Sequence, residues 1–282
     1  MGGDLVFACL FSRHPQTHLH TLPKPNSPLS TLLHIFKMRA TPVVHAALLG
    51  LHASLSTQLY IPGTSSSLTN YPTRTLGNVT VVDTELVREA QAFAREHSSD
   101  ITWNHVMRGW LYGTLVIAHN DTLRATVDAE AHAVAAILHD LGWDQTANSP
   151  VVSADRRFEV DGAIAARDFI RSHSADQAAW DDHRVQLVWD SIALHTLESI
   201  FKYKEDIVAV TGTGILMDFT GPTAGVTQQE YDTVIAAFPK TQFFQGVNET
   251  FIWLCGTKPN TTYGEFALIS FRVSLLMGEM RK

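Results

Sequence analysis

From residue 85 onward, apolar positions return every three or four residues in stretches separated by short polar breaks. That spacing lines one face of a helix and predicts a helical body. Helices are expected over residues 85–97, about 103–119, 126–141, 157–172, 177–196, 200–219, 227–238, 241–255 and 263–278. Capping residues set several ends. Asp83 or Thr84 can cap the first helix and Asp100 or Thr102 the second. Asn120 and Asp121 end the second, and Gly142 is a C-terminal stop. Gly221-Pro222 breaks the chain, and Thr227-Gln-Gln-Glu230 reads as a capping box. The β-branched run from Ile207 to Thr211 is ambiguous. Val79 to Val82 reads as a short strand, and no strand alternation follows residue 83. The expected fold class is all-α: one helical domain over 83–282, behind an irregular N-terminal extension.

That extension has two parts. Residues 57–82, rich in Thr, Ser, Pro and Gly, read as an extended lead-in. Residues 1–56 read as a disordered leader. Residues 14–28 mix His, Pro and Thr without a period, as a disordered tail or a His-rich metal tract would. Residues 38–56 have the layout of a secretory signal: Met38-Arg39, an apolar run from Val43, then small residues. His45 and His52 interrupt it. Either translation begins at Met38 and the protein is secreted, or the segment is a short helix or mobile leader and the protein is cytoplasmic. Asn-x-Ser/Thr sequons at Asn78, Asn120, Asn248 and Asn260 lean towards secretion and a glycoprotein.

Composition narrows the function classes. With 282 residues, 45% of them apolar, the chain can bury a sizeable core. Its net charge of −7 and scattered Lys and Arg speak against nucleic acid as a partner. No apolar run reaches the length of a transmembrane helix. Cys9 and Cys255 lie far apart and give neither zinc-finger spacing nor a disulfide framework. Fourteen histidines are many, and several fall near carboxylates in helical stretches.

The most informative stretch is Ala131 to Trp143. Ala, Val, Ile and Leu fill nearly every position up to His139-Asp140, and Gly142 follows. A His-Asp pair at the end of a buried helix is costly unless something binds it, and a divalent metal would satisfy both side chains. Further ligands are available. His105 shares a helical face with Arg108 and Tyr112, and Asp218 sits among apolar neighbours. His105 also reads as a hydrogen-bonded core residue, and Asp218 as a helix-end cap. Two His and two Asp would suit zinc or iron, with manganese or cobalt as alternatives. His195 and Glu198, three apart, would share a face. His195 could then orient a substrate or bind a second metal, with Glu198 orienting His195. Glu159 and Asp161 read as helix N-terminal residues, or Glu159 as a general acid or base. Trp143 and Asp144 are placed to line a pocket mouth.

His105, His139-Asp140 and Asp218, in that order, resemble the H…HD…D signature of the HD-domain superfamily of metal-dependent hydrolases. The phrases Asn104-His105-Val-Met-Arg108-Gly-Trp-Leu-Tyr112-Gly113, Leu138-His139-Asp140-Leu-Gly142, Arg157-Phe158-Glu159-Val-Asp161-Gly-Ala163 and Ile192-Ala-Leu-His195-Thr196 are similar to its cyanamide hydratase-like branch, over about residues 80–255. The resemblance implies an HD-type helical bundle with one catalytic metal held by His105, His139, Asp140 and Asp218. In cyanamide hydratases, metal-bound water adds to the nitrile carbon of cyanamide and gives urea. This chain departs from them in having Trp143-Asp144 where they have Thr residues, and His195-Thr-Leu where they have His-Gln-Asp.

The function expected is a metal-dependent hydratase or hydrolase of a small polar molecule, with a metal-bound water as nucleophile. Arg108 or His195 would stabilise developing negative charge, and Glu159 or Glu198 would shuttle the proton. One alternative is an HD-type phosphohydrolase of a phosphomonoester or nucleotide, for which Arg108, Arg156 and Arg157 are the nearby cations. The other is a non-catalytic binding protein stabilised by its metal.

Overall fold

The computed structural model describes residues 71–261. The leader, its signal-like segment, residues 57–70 of the lead-in and the helix expected over 263–278 lie outside the described residues. The last part of the lead-in is a β-hairpin. Strand β1 (Thr73–Leu76) pairs antiparallel with β2 (Val79–Val82), Thr73 opposite Val82 and Leu76 opposite Val79. Gly77 and Asn78 make the two-residue turn, both with positive φ, 53° and 62°. A two-residue turn of this kind needs left-handed backbone, which Gly and Asn tolerate. The Gly-Asn pair was the signal for β1 that a Thr- and Pro-rich reading passed over.

Among the described residues the regular elements after the hairpin are all helices, as the apolar spacing predicts. Helix α1 (Glu85–Glu96) is capped by Thr84, whose hydroxyl accepts from the Val87 amide. Helix α2 (Asp100–Ala118) is capped by Ser99, a residue ahead of the expected candidates. The helix expected over 126–141 is shorter, and a further short helix precedes it. Asn120 caps a short α3 (Asp121–Thr126), the chain bends at Val127, and Asp128 caps α4 (Ala129–Leu138) through the Glu130 and Ala131 amides. A 3-10 turn (Leu141–Trp143) follows. Then come α5 (Phe158–His173), α6 (Asp182–Leu194), a single turn α7 (Glu198–Phe201), α8 (Asp206–Thr220), α9 (Gln228–Ala237) and α10 (Phe243–Thr257). The Thr227–Glu230 capping box forms as expected at α9, and the ambiguous β-branched run is helical within α8.

Helix α4 is the axis of the core. All ten of its residues are buried, with α2, α6, α8 and α1 packed around it. Helices α2 and α8 cross closely because glycines face each other. A Cβ on Gly214 would lie 2.5 Å from the Gly113 nitrogen and 2.7 Å from the Gly109 oxygen. The helices run antiparallel there, since Gly109 also approaches Ile215 and Gly113 approaches Val210. One turn further out, His105 on α2 therefore meets Asp218 on α8.

Two apolar clusters result. The large one is centred on α2, α4, α6 and α8. A smaller, aromatic one joins Trp143, Phe158 and Phe219 to Phe243, Val247, Phe251 and Leu254. Among the described residues no helix is long and apolar enough to cross a membrane. The sequon asparagines Asn78, Asn120, Asn248 and Asn260 are all exposed.

Candidate metal centre

His139 and Asp140 sit where α4 stops. Their backbone leaves the helix gradually, with φ/ψ of −63°/−32° at His139 and −104°/22° at Asp140. The expected stop at Gly142 has a different cause from a left-handed C-cap. A Cβ there would lie 2.2 Å from the Phe158 carbonyl oxygen, so Gly142 lets the start of α5 press against the turn. The change of helical geometry lets two adjacent side chains, which would diverge on a continuing helix, face the same space.

One ligand atom from each of His105, His139 and Asp140 lies within 4.8 Å of the other two, and all three residues are buried. His139 Nε2 is 3.3 Å from His105 Nε2 and 3.1 Å from Asp140 Oδ2, while His105 Nε2 is 3.5 Å from that same oxygen. His195, at the end of α6, approaches from the other side, with Nε2 3.8 Å from Asp140 Oδ1.

Hydrogen bonds on the far side of each ring fix which nitrogen carries the proton. His105 Nδ1 donates to Asp218 Oδ2 at 2.7 Å. His139 Nδ1 donates to the Ala136 carbonyl at 2.8 Å, and His195 Nδ1 to the Ile192 carbonyl at 2.7 Å. With Nδ1 protonated, the neutral ring presents a bare lone pair at Nε2. Bare nitrogens thus approach a carboxylate whose two oxygens, though buried, have no hydrogen-bond partner. Such a set is unfavourable alone and is satisfied by a cation. The two imidazole nitrogens of His105 and His139 and the Asp140 carboxylate fit a borderline divalent transition metal, so the centre can hold a metal ion.

Burial favours the neutral form of two of these rings. Burial lowers the pKa of His105, with Asp218 only partly opposing it, and burial followed by the neighbouring His139 pushes His195 down to about 3. Burial works against ionisation of Asp140, but His139, His105 and His195 outweigh it and leave its pKa below the ordinary carboxylate value. For Asp218, burial is likewise outweighed, here by His105 and Arg108, and its pKa is lowered.

The other expected site residues fall in several places. Asp218 is beside the centre but on the Nδ1 edge of His105. Arg108 grips it with both arms, Nε at 2.8 Å and Nη2 at 2.7 Å. Arg108 Nη1 donates to the carbonyls of Phe238 and Pro239, so its donors serve the fold and not a reacting group at the centre. Lys240 reinforces Asp218, with Nζ 3.5 Å from Oδ1. Glu159 is buried and accepts from Thr196 Oγ1 at 2.7 Å and from Arg157. Asp161 holds the preceding loop through the Ser153 amide, Arg156 and Lys258. Glu198 is exposed and does not share a face with His195. Helix α6 ends at Leu194, so the three-residue spacing spans a break in the helix, and the Ile192 carbonyl orients His195 instead.

Sequence reasoning missed the aromatic wall. His105 lies 5.0 Å from Phe243, 5.4 Å from Phe219 and 6.0 Å from Trp143, centroid to centroid. Trp143 is also one wall of a cavity of about 430 Å³, as its place after the His-Asp pair suggested. Asp144 lines that cavity with Glu96, His97, Thr102 and Glu249. His97, another omission, donates to or accepts from Asp144 at 2.8 Å across 47 residues of sequence, a separation without a local signal. No family model matches the chain, and no curated protein matches it.

Proposed function

We propose that the protein is a metal-dependent hydratase or hydrolase of a small, uncharged polar molecule, of HD-domain type and akin to the cyanamide hydratases. The observation that carries this reading is the orphaned Asp140 carboxylate facing bare imidazole nitrogens at the end of α4. Zinc or iron suits those donors best, and manganese or cobalt next. When bound, such a metal supplies a Lewis acid and water acidified towards neutral pH. His105, His139 and Asp140 would hold it. Asp218 and the carbonyls of Ala136 and Ile192 keep the imidazoles turned inward. Phe219, Phe243 and Trp143 exclude bulk water, which strengthens every charge interaction inside.

Charge favours a neutral substrate over a phosphate ester. The three arginines that a phosphomonoester would need are engaged elsewhere: Arg108 with Asp218, Arg156 with Asp161, Arg157 with Glu159. The cavity beside Trp143 carries Glu96, Asp144 and Glu249, which repel an anion. The test is a screen of the purified, metal-loaded full chain against nitriles, cyanamide and small amides beside phosphomonoesters and nucleotides. Turnover in the neutral set is expected. Turnover confined to phosphate esters would overturn the substrate class. Full metal loading with no turnover of either set would favour the non-catalytic alternative.

A further inference from the structure

We infer that His195, through Nε2, is the fourth protein donor to the metal, and that Asp218 is a positioning residue for His105 outside the coordination sphere. This rests on the reading that the centre binds a metal. It departs from the ligand set that the family resemblance implies.

The first ground is the placement of Asp218. Both of its oxygens are occupied, Oδ2 by His105 Nδ1 and Arg108 Nη2, Oδ1 by Arg108 Nε with Lys240 nearby. It lies on the Nδ1 edge of a ring whose Nε2 edge faces the centre. Becoming a ligand would require it to leave a buried, two-armed ion pair and strand Arg108, a residue without solvent exposure. A carboxylate behind an imidazole is, in contrast, an ordinary way to fix a metal-binding ring.

The second ground is a repeated device. His139 is the residue immediately after α4, and its Nδ1 closes onto the carbonyl three residues back, Ala136. His195 is the residue immediately after α6, and its Nδ1 closes onto the carbonyl three residues back, Ile192. The backbones match too, φ/ψ of −63°/−32° and −58°/−24°. Two helices thus end in the same histidine arrangement, and their rings meet edge to face with centroids 4.7 Å apart. Helices α4 and α6 pack directly on each other, which holds the two ends together. What fixes His139 as a donor fixes His195 in the same way.

The third ground is Asp140. Its Oδ2 faces His105 and His139, and its Oδ1 faces His195. Neither oxygen has a hydrogen-bond partner. His195 Nε2, 3.8 Å from Oδ1, is within reach of an ion bound by this carboxylate. The donor set becomes three imidazoles and one carboxylate, a nitrogen-rich set that favours zinc, iron or cobalt over manganese.

The experiment uses the full chain loaded with cobalt(II) and compares His195→Ala, His195→Cys and Asp218→Asn with the parent. X-ray absorption should count three imidazoles in the parent and in Asp218→Asn, and two in His195→Ala. Asp218→Asn should lose about 10–100-fold in affinity, the usual cost of an outer partner, and His195→Ala more. His195→Cys should show a thiolate-to-cobalt charge-transfer band, because a cysteine there becomes a ligand; this gain of signal holds the test open if the alanine variant folds poorly. Two imidazoles in the parent, or a silent His195→Cys with metal still bound, would overturn the inference and leave the metal centre standing. A parent that binds no cobalt or zinc would instead overturn the metal reading on which it depends.

Discussion

At the scale of single residues, buried polar groups decide most of the account. Asp218 and Arg108 are both buried, and each is the other's main charge partner. Arg108→Met leaves the carboxylate with only His105 and Lys240. Urea unfolding should show a loss of about 3 kcal/mol or more, the usual cost of removing one partner of a buried pair. His105 should also lose its fixed orientation, so metal affinity falls with stability. A second buried group gives a pH dependence. His132 lies between α2, α4 and α8, bonded to Thr211 Oγ1 at 2.9 Å and near the Trp110 carbonyl. Burial, only partly offset by the Trp110 carbonyl and Asp128, lowers its pKa to about 4. The unfolded chain therefore takes up this proton at higher pH than the folded chain does. Stability from the neutral ring is complete above about pH 6.5 and is lost as pH falls towards 4, by about 3 kcal/mol at most. Metal-free protein should show that decline by denaturation at pH 7 and pH 4.5, and His132→Gln should make it shallower, leaving the share that the buried His105 and His195 contribute. An unchanged slope in the variant would refute the assignment. His139 and Asp140 were legible as candidate ligands because a His-Asp pair at the end of an apolar helix is a local anomaly, whereas His105 also read as a hydrogen-bonded core residue. The sequence could not show that Asp218 faces Nδ1 and not Nε2, since that depends on how two helices more than a hundred residues apart cross.

At the scale of elements, the crossing of α2 and α8 is the joint that sets the site. Gly109, Gly113 and Gly214 let the backbones touch, and one turn away His105 meets Asp218. In Gly214→Ala the new methyl would sit 2.5 Å from a backbone nitrogen, which no side-chain rotation relieves. The expected cost is about 1–3 kcal/mol, accompanied by weaker metal binding as the His105–Asp218 contact shifts. Gly256→Ala, on α10 with open space around its Cβ, should be neutral or raise stability by up to about 1 kcal/mol. Thermal melts and metal titrations of the two variants separate a specific crossing from a general intolerance of alanine. The helices themselves were legible from apolar spacing, but their ends less so. The break after Leu194 removes Glu198 from His195, and the short helix Asp121–Thr126 was not expected from spacing. Each end is set by packing or a side-chain cap that spacing does not encode.

For the molecule as a whole, the centre is sealed from solvent, and Trp143 stands between it and the 430 Å³ cavity. Trp143 packs on His105 and on Phe158 and Phe251, and its indole nitrogen is buried without a hydrogen-bond partner. Nothing polar holds the ring except its packing. Trp143→Ala should open the centre to that cavity. A chelator should then strip the metal faster than from the parent, and a cobalt-loaded sample should bind phenylimidazole where the parent accepts only imidazole. Equal stripping rates and equal ligand selectivity would mean that access runs elsewhere.

The metal centre at the end of α4 is what the chemistry of this molecule depends on. Elemental analysis of the purified full chain, beside His139→Ala, tests it most directly. One divalent transition metal per parent chain is expected, zinc or iron first, with loss of that metal in the variant while the helical circular dichroism persists. A parent without metal, or a variant that keeps it in full, would contradict the account.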